Sequence, residues 1–274
     1  MLPVPAIAAG NGGLQDAERH RISGPAVSDA PLIGPEGRLP ELGPLAAFAP
    51  PPLAAGEVHI WFACGGDSAA LRPLLDAGET ARADRFKFAE HRMRFIVSHG
   101  VLRTIIAAYR GCAPQDTRFT AGAHGKPELA DADGLSFSLS HSGDGVAVAV
   151  AAGIEVGIDI ERPRAMKDRD DLVVRFFSAA ENRAYFALET AVARDQAFFR
   201  MWTRKEAFVK GIGLGLGRAL DSFTVGLDIP ATLDAPETSA WSLRHVSPGS
   251  GFVGALAARH PSPILRGGRI GGPA

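Results

Sequence analysis

Gly157-Ile158-Asp159-Ile160-Glu161, followed downstream by Trp202-Thr203-Arg204-Lys205-Glu206-Ala207-Phe208-Val209-Lys210-Gly211, decides the reading of this chain. In the first stretch Val156, Ile158 and Ile160 alternate with Gly157, Asp159 and Glu161. Side chains on a strand alternate between its faces, so the apolar groups point one way and both carboxylates the other. Two carboxylates held side by side raise each other's pKa unless a cation lies between them. Hard oxygen ligands of this kind suit Mg²⁺, which takes one or two protein carboxylates together with substrate phosphates and water. The same alternation equally describes a half-exposed strand with a solvated polar face. The second stretch is helical, with Phe198, Met201, Trp202, Phe208 and Val209 toward one side, and Gly211 is a fitting stop. Within it Glu206 and Lys210 are spaced as an ordinary helix-surface ion pair, worth about 0.3 kcal/mol.

Outward from these stretches, residues 135–139 and 146–151 read as strands, joined by the turn-rich Ser140-His141-Ser142-Gly143-Asp144-Gly145. Residues 57–63 read as an earlier strand. Residues 81–109 read as a helical region, in which Phe86, Phe95, Val101, Leu102, Ile105 and Ile106 recur at helical spacing. Beyond Glu161, Ser178 and Glu181 form a capping box that opens a helix. Residues 222–227, 241–245 and 252–258 close the series as strands.

The order strand, helical region, strands thus occurs twice. It predicts an α+β fold built by pseudo-two-fold duplication, two similar lobes each with an antiparallel sheet packed on a helix. The lobes are expected at residues 56–152 and 153–260, with a cleft between them, a preferred place for a ligand. Arg85-Phe86 followed by Glu90 loosely matches Arg175-Phe176-Phe177 followed by Glu181. Residues 1–55 are rich in Ala, Gly and Pro without apolar period and read as a disordered leader. Residues 261–274 read as a loose tail.

The chain has 274 residues, 46% hydrophobic and 22% charged, enough for a sizeable core in one large or two small domains. A net charge of −1 gives no global basic field for nucleic acid, so any anion site must be a local patch. No apolar run approaches the roughly 20 residues of a membrane helix. The N-terminus lacks the basic region of a secretory signal, so a cytoplasmic protein without membrane contact is expected. Cys64 and Cys112 fit no metal or redox spacing and are expected as small core residues in a reducing compartment.

Taken together, Gly157-Ile158-Asp159-Ile160-Glu161, Phe177-Ser178-Ala179-Ala180-Glu181 and the Trp202–Gly211 helix, in that order, resemble the 4′-phosphopantetheinyl transferase superfamily. Gly125-Lys126-Pro127, the run Phe137-Ser138-Leu139-Ser140-His141-Ser142 and a basic helix with Arg94 and Arg103 are similar to its two-lobed, Sfp-type branch. The resemblance covers about residues 57–260. It implies an enzyme of the holo-[acyl-carrier-protein] synthase reaction type. Such an enzyme moves 4′-phosphopantetheine from coenzyme A to a serine hydroxyl of an apo carrier protein, releasing adenosine 3′,5′-bisphosphate. Acyl and peptidyl carriers of fatty-acid, polyketide or peptide synthetases are the implied partners. Two lobes in one chain imply a monomer with an internal pseudo-dimer.

By position, the resemblance implies Mg²⁺ on Asp159, Glu161 and Glu206, with Glu206 and Lys210 catalytic. Lys205 and Lys210 are implied near the coenzyme A phosphates. Lys126, Ser140 and His141 are implied at the adenosine 3′-phosphate end, with Arg94 and Arg82 contributing. Glu181 matches an acidic family position, though its capping box needs no catalysis. The usual Asn of the His141 run is Ser138 here, a departure expected to loosen packing on the adenine side.

Two rivals follow from the same residues. A serine hydrolase using Ser140 or Ser142 with His141 lacks the G-x-S-x-G elbow, and neighbouring strand residues point apart. A non-catalytic coenzyme A or carrier-binding module would need no complete acidic set. The glycines at 211, 213, 215 and 217 follow a helix and lack a Gly-Lys-Ser/Thr, so they read as a loop rather than a phosphate cradle.

Overall fold

The computed structural model describes residues 31–122, 125–131, 134–236, 239–249 and 251–271. The first lobe contains β1 (Glu41–Pro44), β2 (Glu57–Cys64), helices α1 (Ser68–Leu71), α2 (Ala77–Asp84) and α3 (Ala89–Arg110), then β3 (Phe119–Ala121), β4 (Pro127–Leu129), β5 (Leu135–Ser142) and β6 (Gly145–Ala152). The second contains β7 (Val156–Glu161), α4 (Arg169–Phe176), α5 (Ala179–Phe186), α6 (Ala191–Ile212), β8 (Thr224–Val225), β9 (Leu233–Asp234), β10 (Ser242–Gly249) and β11 (Phe252–Ala258). A last strand, β12 (Ile264–Gly271), returns to the first lobe.

The duplication is visible in the strand order. In the first lobe the order β2-β6-β5 is antiparallel, and in the second β7-β11-β10 repeats it. The two long helices each have 22 residues and each ends on a left-handed glycine, Gly111 (φ 63°) or Gly213 (φ 72°). Glycine takes that conformation without a Cβ penalty, which ends both helices cleanly. Each long helix follows an eight-residue helix opened by a capping box, Asp76/Glu79 on α2 and Ser178/Glu181 on α5. The internal match expected between Arg85-Phe86 and Arg175-Phe176 is out of register. Glu90 opens α3, whereas Glu181 lies on α5 and corresponds to Glu79.

Four layers result. Helix α3 covers one face of the larger sheet through Val101, Leu102, Ile105 and Ile106 against Trp61, Val148 and Val150. The opposite face, with Ile60 and the small residues Ala147, Ala149 and Ala151, packs on Ile158, Ile160 and Leu256 of the smaller sheet. Helix α6 covers the far side of that sheet through Phe199 and Phe208 against Ala255 and Ala257 of β11. Fully burying each such Ile or Phe contributes about 1.5–3 kcal/mol, so the middle interface binds the lobes firmly.

Three expectations change at the edges. The helical region expected over residues 81–109 starts earlier, at Ala77, and is divided into α2 and α3, because Arg85–Phe88 leaves helical geometry between them. Residues 264–271 are not a loose tail. As β12 they run parallel between β1 and β2, in register from Ile264↔Glu57 to Gly271↔Cys64, so the first lobe's sheet is mixed rather than wholly antiparallel. Burial on both sides, with Leu265 and Ile270 in the core, explains why its polar, glycine-rich sequence still forms a strand. Of the segment expected as a disordered leader, residues 31–55 are described and place Ile33, Leu39 and Leu45 in the core. Residues 1–30 lie outside the described residues.

Candidate active site

Helix α6 meets β7 backbone to backbone. A Cβ on Gly157 would lie 2.0 Å from the Ala207 carbonyl oxygen and 2.2 Å from the Gly211 nitrogen. A Cβ on Gly211 would strike the Trp241 ring at 2.6 Å. No larger residue fits at either position, and the resulting approach sets Glu206 and Lys210 beside Asp159. Lys210 Nζ donates to Asp159 Oδ1 at 2.7 Å and to Ser140 Oγ at 3.2 Å.

Asp159 is buried, and burial pushes its carboxyl above the ordinary range, with Lys210 and Ser140 pulling it back. Its Oδ2 is buried without a hydrogen-bond partner. Glu206 is raised first by burial, then by the neighbouring Asp159 and Glu161 charges, with Lys210 opposing. The Asp159 and Glu161 charges therefore both reach Glu206. Among the described residues, no three His, Cys, Asp or Glu groups are drawn closely enough to enclose a metal ion. The donor set nevertheless fits a hard cation: an orphaned carboxylate oxygen, and a glutamate whose charge is disfavoured by two like charges.

Across the seam, β5 presents Ser138, Ser140 and Ser142 toward β7. The Ile158 and Ile160 amides donate to Ser138 Oγ (3.0 Å) and Ser140 Oγ (3.2 Å), and the Arg162 amide to Ser142 Oγ (3.1 Å). Ser140 donates to Asp159 Oδ1 at 2.9 Å and Ser142 to Glu161 Oε2 at 2.6 Å. Ser138, expected to loosen adenine-side packing, instead holds a lobe-spanning bond. Ser140, expected at the 3′-phosphate end, has its hydroxyl turned to Asp159.

His141 faces the other way, into open space. It lines both a cleft of about 660 Å³ and an adjoining one of about 380 Å³. Though its side chain is exposed, the cleft walls partly desolvate its imidazole and lower its pKa, aided by the Lys210, His99 and Arg94 charges. The larger cleft is strongly basic: Arg82, Arg94, Arg162, Arg164, His91 and His99 face it, against Glu161. Arg82 also lies over the Phe95 ring, 5.2 Å from its centroid, and Arg94 pairs with Glu90. Sequence reasoning quoted Ser142 only within the His141 run and as a rival nucleophile, and it did not single out His99, Arg162 or Arg164, all of which line this cleft. Arg162 and Arg164 stand directly after the Asp159/Glu161 strand, a basic pair that could have been read as part of the patch.

Two predicted phosphate ligands are elsewhere occupied. Lys205 is fully buried, Nζ 2.8 Å from Glu181 and bonded to the carbonyls of Leu220 (2.7 Å) and Phe223 (2.8 Å). It faces away from the cleft, because residues adjacent on a helix diverge and Glu206 takes the β7 side. Glu181 adds bonds to the Ser178 and Val225 amides, so it is a buried fastener of the second lobe. Lys126 borders the smaller cleft, but its ammonium spans the lobes, donating to the carbonyls of Val156 (3.1 Å) and Gly211 (3.3 Å). Burial lowers its pKa.

A profile of the 4′-phosphopantetheinyl transferase superfamily matches residues 155–257, and one of the 4′-phosphopantetheinyl transferase N-terminal region matches residues 61–153. The 4′-phosphopantetheinyl transferase HetI of Nostoc is 36% identical, over 75% of this chain and 89% of HetI. The chain belongs to the 4′-phosphopantetheinyl transferase superfamily, in its Sfp-type branch. The transferase Sfp of Bacillus subtilis is 31% identical over 65% of this chain and 79% of its own length. The transferase psf-1 of Bacillus pumilus is 35% identical over 62% and 72% respectively. The two profiles meet between residues 153 and 155, at the start of β7, so family membership extends over both lobes and the cleft between them. No helix among the described residues is long and apolar enough to cross a membrane.

Proposed function

We propose that this transferase moves 4′-phosphopantetheine from coenzyme A to a carrier-protein serine in the cleft beside His141, with Asp159, Glu161 and Glu206 holding one Mg²⁺. The observation that carries the metal reading is Asp159 Oδ2, a buried carboxylate oxygen without a partner beside a second carboxylate whose charge is disfavoured. When bound, the cation would neutralise charge on the pyrophosphate.

The chain's own residues account for the remaining demands. Lys210, at the edge of both the acidic trio and the cleft, offers an ammonium to the transferring phosphoryl oxygens. His141, Arg94 and Arg82 hold the nucleotide phosphates and so fix the leaving group in line. Glu206, whose pKa burial raises, accepts the serine proton directly or through a water. Lys126 serves as a wall that joins the lobes, not as a free charge. Acyl or peptidyl carriers are the acceptors. The chain acts as a cytoplasmic monomer whose second lobe replaces a partner subunit, without nucleic acid or membrane.

Incubating the protein with coenzyme A, Mg²⁺ and a panel of apo-carriers, followed by intact mass, tests this reading. The expected result is the mass of one phosphopantetheine on at least one carrier, abolished by EDTA and restored by Mg²⁺. Modification of fatty-acid carriers would assign the holo-[acyl-carrier-protein] synthase type. No mass gain on any carrier would favour the binding-only module, and transfer unaffected by EDTA would remove the metal.

A further inference from the structure

The seam between the lobes has an unusual construction. The β7 edge facing β5 is not closed by a backbone ladder. Its amides at Ile158, Ile160 and Arg162 are met by the hydroxyls of Ser138, Ser140 and Ser142 instead. A hydroxyl can accept up to two hydrogen bonds and donate another. Ser140 and Ser142 use that second capacity on carboxylates, Asp159 and Glu161. Ser138 stands opposite Gly157, which has no side chain to receive it. The three serines therefore share one structural task but differ in a second.

Ser142 is the sharper case. Asp159 already has Lys210 as well as Ser140 on Oδ1. Among the described residues, Glu161 has Ser142 at 2.6 Å on Oε2 and the largely exposed Arg164 at 3.2 Å on the same oxygen. The hydroxyl thus anchors Oε2 of Glu161, whose carboxylate borders the cleft. Ser142 also lines the basic cleft and is tied to the chain beyond β7 through the Arg162 amide.

We infer that Ser142 is a positioning residue, which orients Glu161 for a divalent cation by donating to Oε2 while accepting the Arg162 amide across the seam. The inference rests on the Mg²⁺ assignment to Asp159, Glu161 and Glu206. Removing the group that orients a metal ligand typically weakens metal affinity 10–100-fold.

The test is Mn²⁺ binding to the purified full chain, with free Mn²⁺ read by electron paramagnetic resonance, on wild type, S142A, S142T and S138A. Wild type should bind one Mn²⁺, S142A about tenfold more weakly, and S142T within about threefold of wild type because it retains the hydroxyl. S138A loses the same kind of lobe-spanning bond but no carboxylate contact, so its Mn²⁺ affinity should stay within about twofold of wild type. Melting curves should fall alike for S142A and S138A, which separates loss of the seam from loss of the ligand. In turnover, S142A should raise the half-saturating Mg²⁺ concentration without raising the KM for coenzyme A at saturating Mg²⁺. Wild-type affinity in S142A, or equal weakening in S138A and S142A, would overturn the inference. If wild type itself binds no Mn²⁺, the metal assignment fails first, and the inference with it.

Discussion

The two lobes carry the same scaffold, and the difference between them separates architecture from chemistry. Glu79 and Arg103 lie 102 residues before Glu181 and Lys205, and both pairs are ion pairs, at 2.5 and 2.8 Å. In each lobe the capping-box glutamate of the short helix binds a fully buried cation on the long helix. In each, that cation also binds backbone carbonyls, of Pro114 and Thr117 for Arg103 and of Leu220 and Phe223 for Lys205. What both lobes keep is therefore a fastener. At the same spacing Glu206 and Lys210 correspond to Thr104 and Ala108, which have no charge. What only the second lobe has is the acid and base beside β7. The first lobe contributes instead Arg82, Arg94 and His141 to the basic wall, which Arg162 and Arg164 of the second lobe complete.

The comparison breaks most visibly at Glu206. Glu206→Gln should lower carrier modification by about 10²–10³-fold with an unchanged melting curve, the size of effect seen when one transition-state contact is lost. Thr104→Val at the matching place should leave transfer within about twofold. Equal losses would erase the distinction between the lobes.

Next in size are the fasteners. Lys205→Met leaves Glu181 charged and buried, which should destabilise the chain by about 3–5 kcal/mol in denaturant melts. Lys205→Met with Glu181→Gln should recover much of that loss, because no unpaired charge remains. At temperatures where Lys205→Met stays folded, its KM for coenzyme A should be close to wild type, while Lys210→Ala raises it. A large KM increase from Lys205→Met would return Lys205 to the phosphates.

The smallest effect is pH-dependent and occurs in both lobes. Burial lowers the pKa of His59 in β2, and lowers that of His245 in β10 to about 4, helped by Arg204 and Arg200. Below the ordinary histidine pKa of about 6.5 the unfolded chain binds protons that the folded chain refuses. Stability is thus fully present above about pH 6.5 and falls as pH drops from there toward about 4. His245→Asn should flatten that slope in urea melts between pH 6.5 and 4.5. An unchanged slope would mean that His245 titrates normally.

Much of this was legible in the sequence, and the illegible parts share physical causes. The Asp159/Glu161 strand follows from period-two alternation, and the capping box at Ser178/Glu181 forms as the pattern predicts. Lys205 was not legible as a core residue, because a lysine on a helix is ordinarily solvated and its partners come from residues 181, 220 and 223. The β12 strand escaped because a run containing Gly267, Gly268 and two arginines has no apolar alternation. Its place is set by β1 and β2, far away in sequence. Ile33, Leu39 and Leu45 are single anchors without period, each buried by the lobes it crosses. The serine run of β5 looked like a polar turn or a phosphate contact. Its task depends on β7 lying alongside, a tertiary fact that local pattern does not carry.

The most direct measurement is an anomalous difference map from crystals grown with MnCl₂ and coenzyme A. One manganese peak among the carboxylates of Asp159, Glu161 and Glu206, with the nucleotide phosphates beside His141, Arg94 and Arg82 and with Lys205 still on Glu181, is the predicted result. Manganese elsewhere, or the pyrophosphate on Lys205, would contradict the division of labour between the lobes.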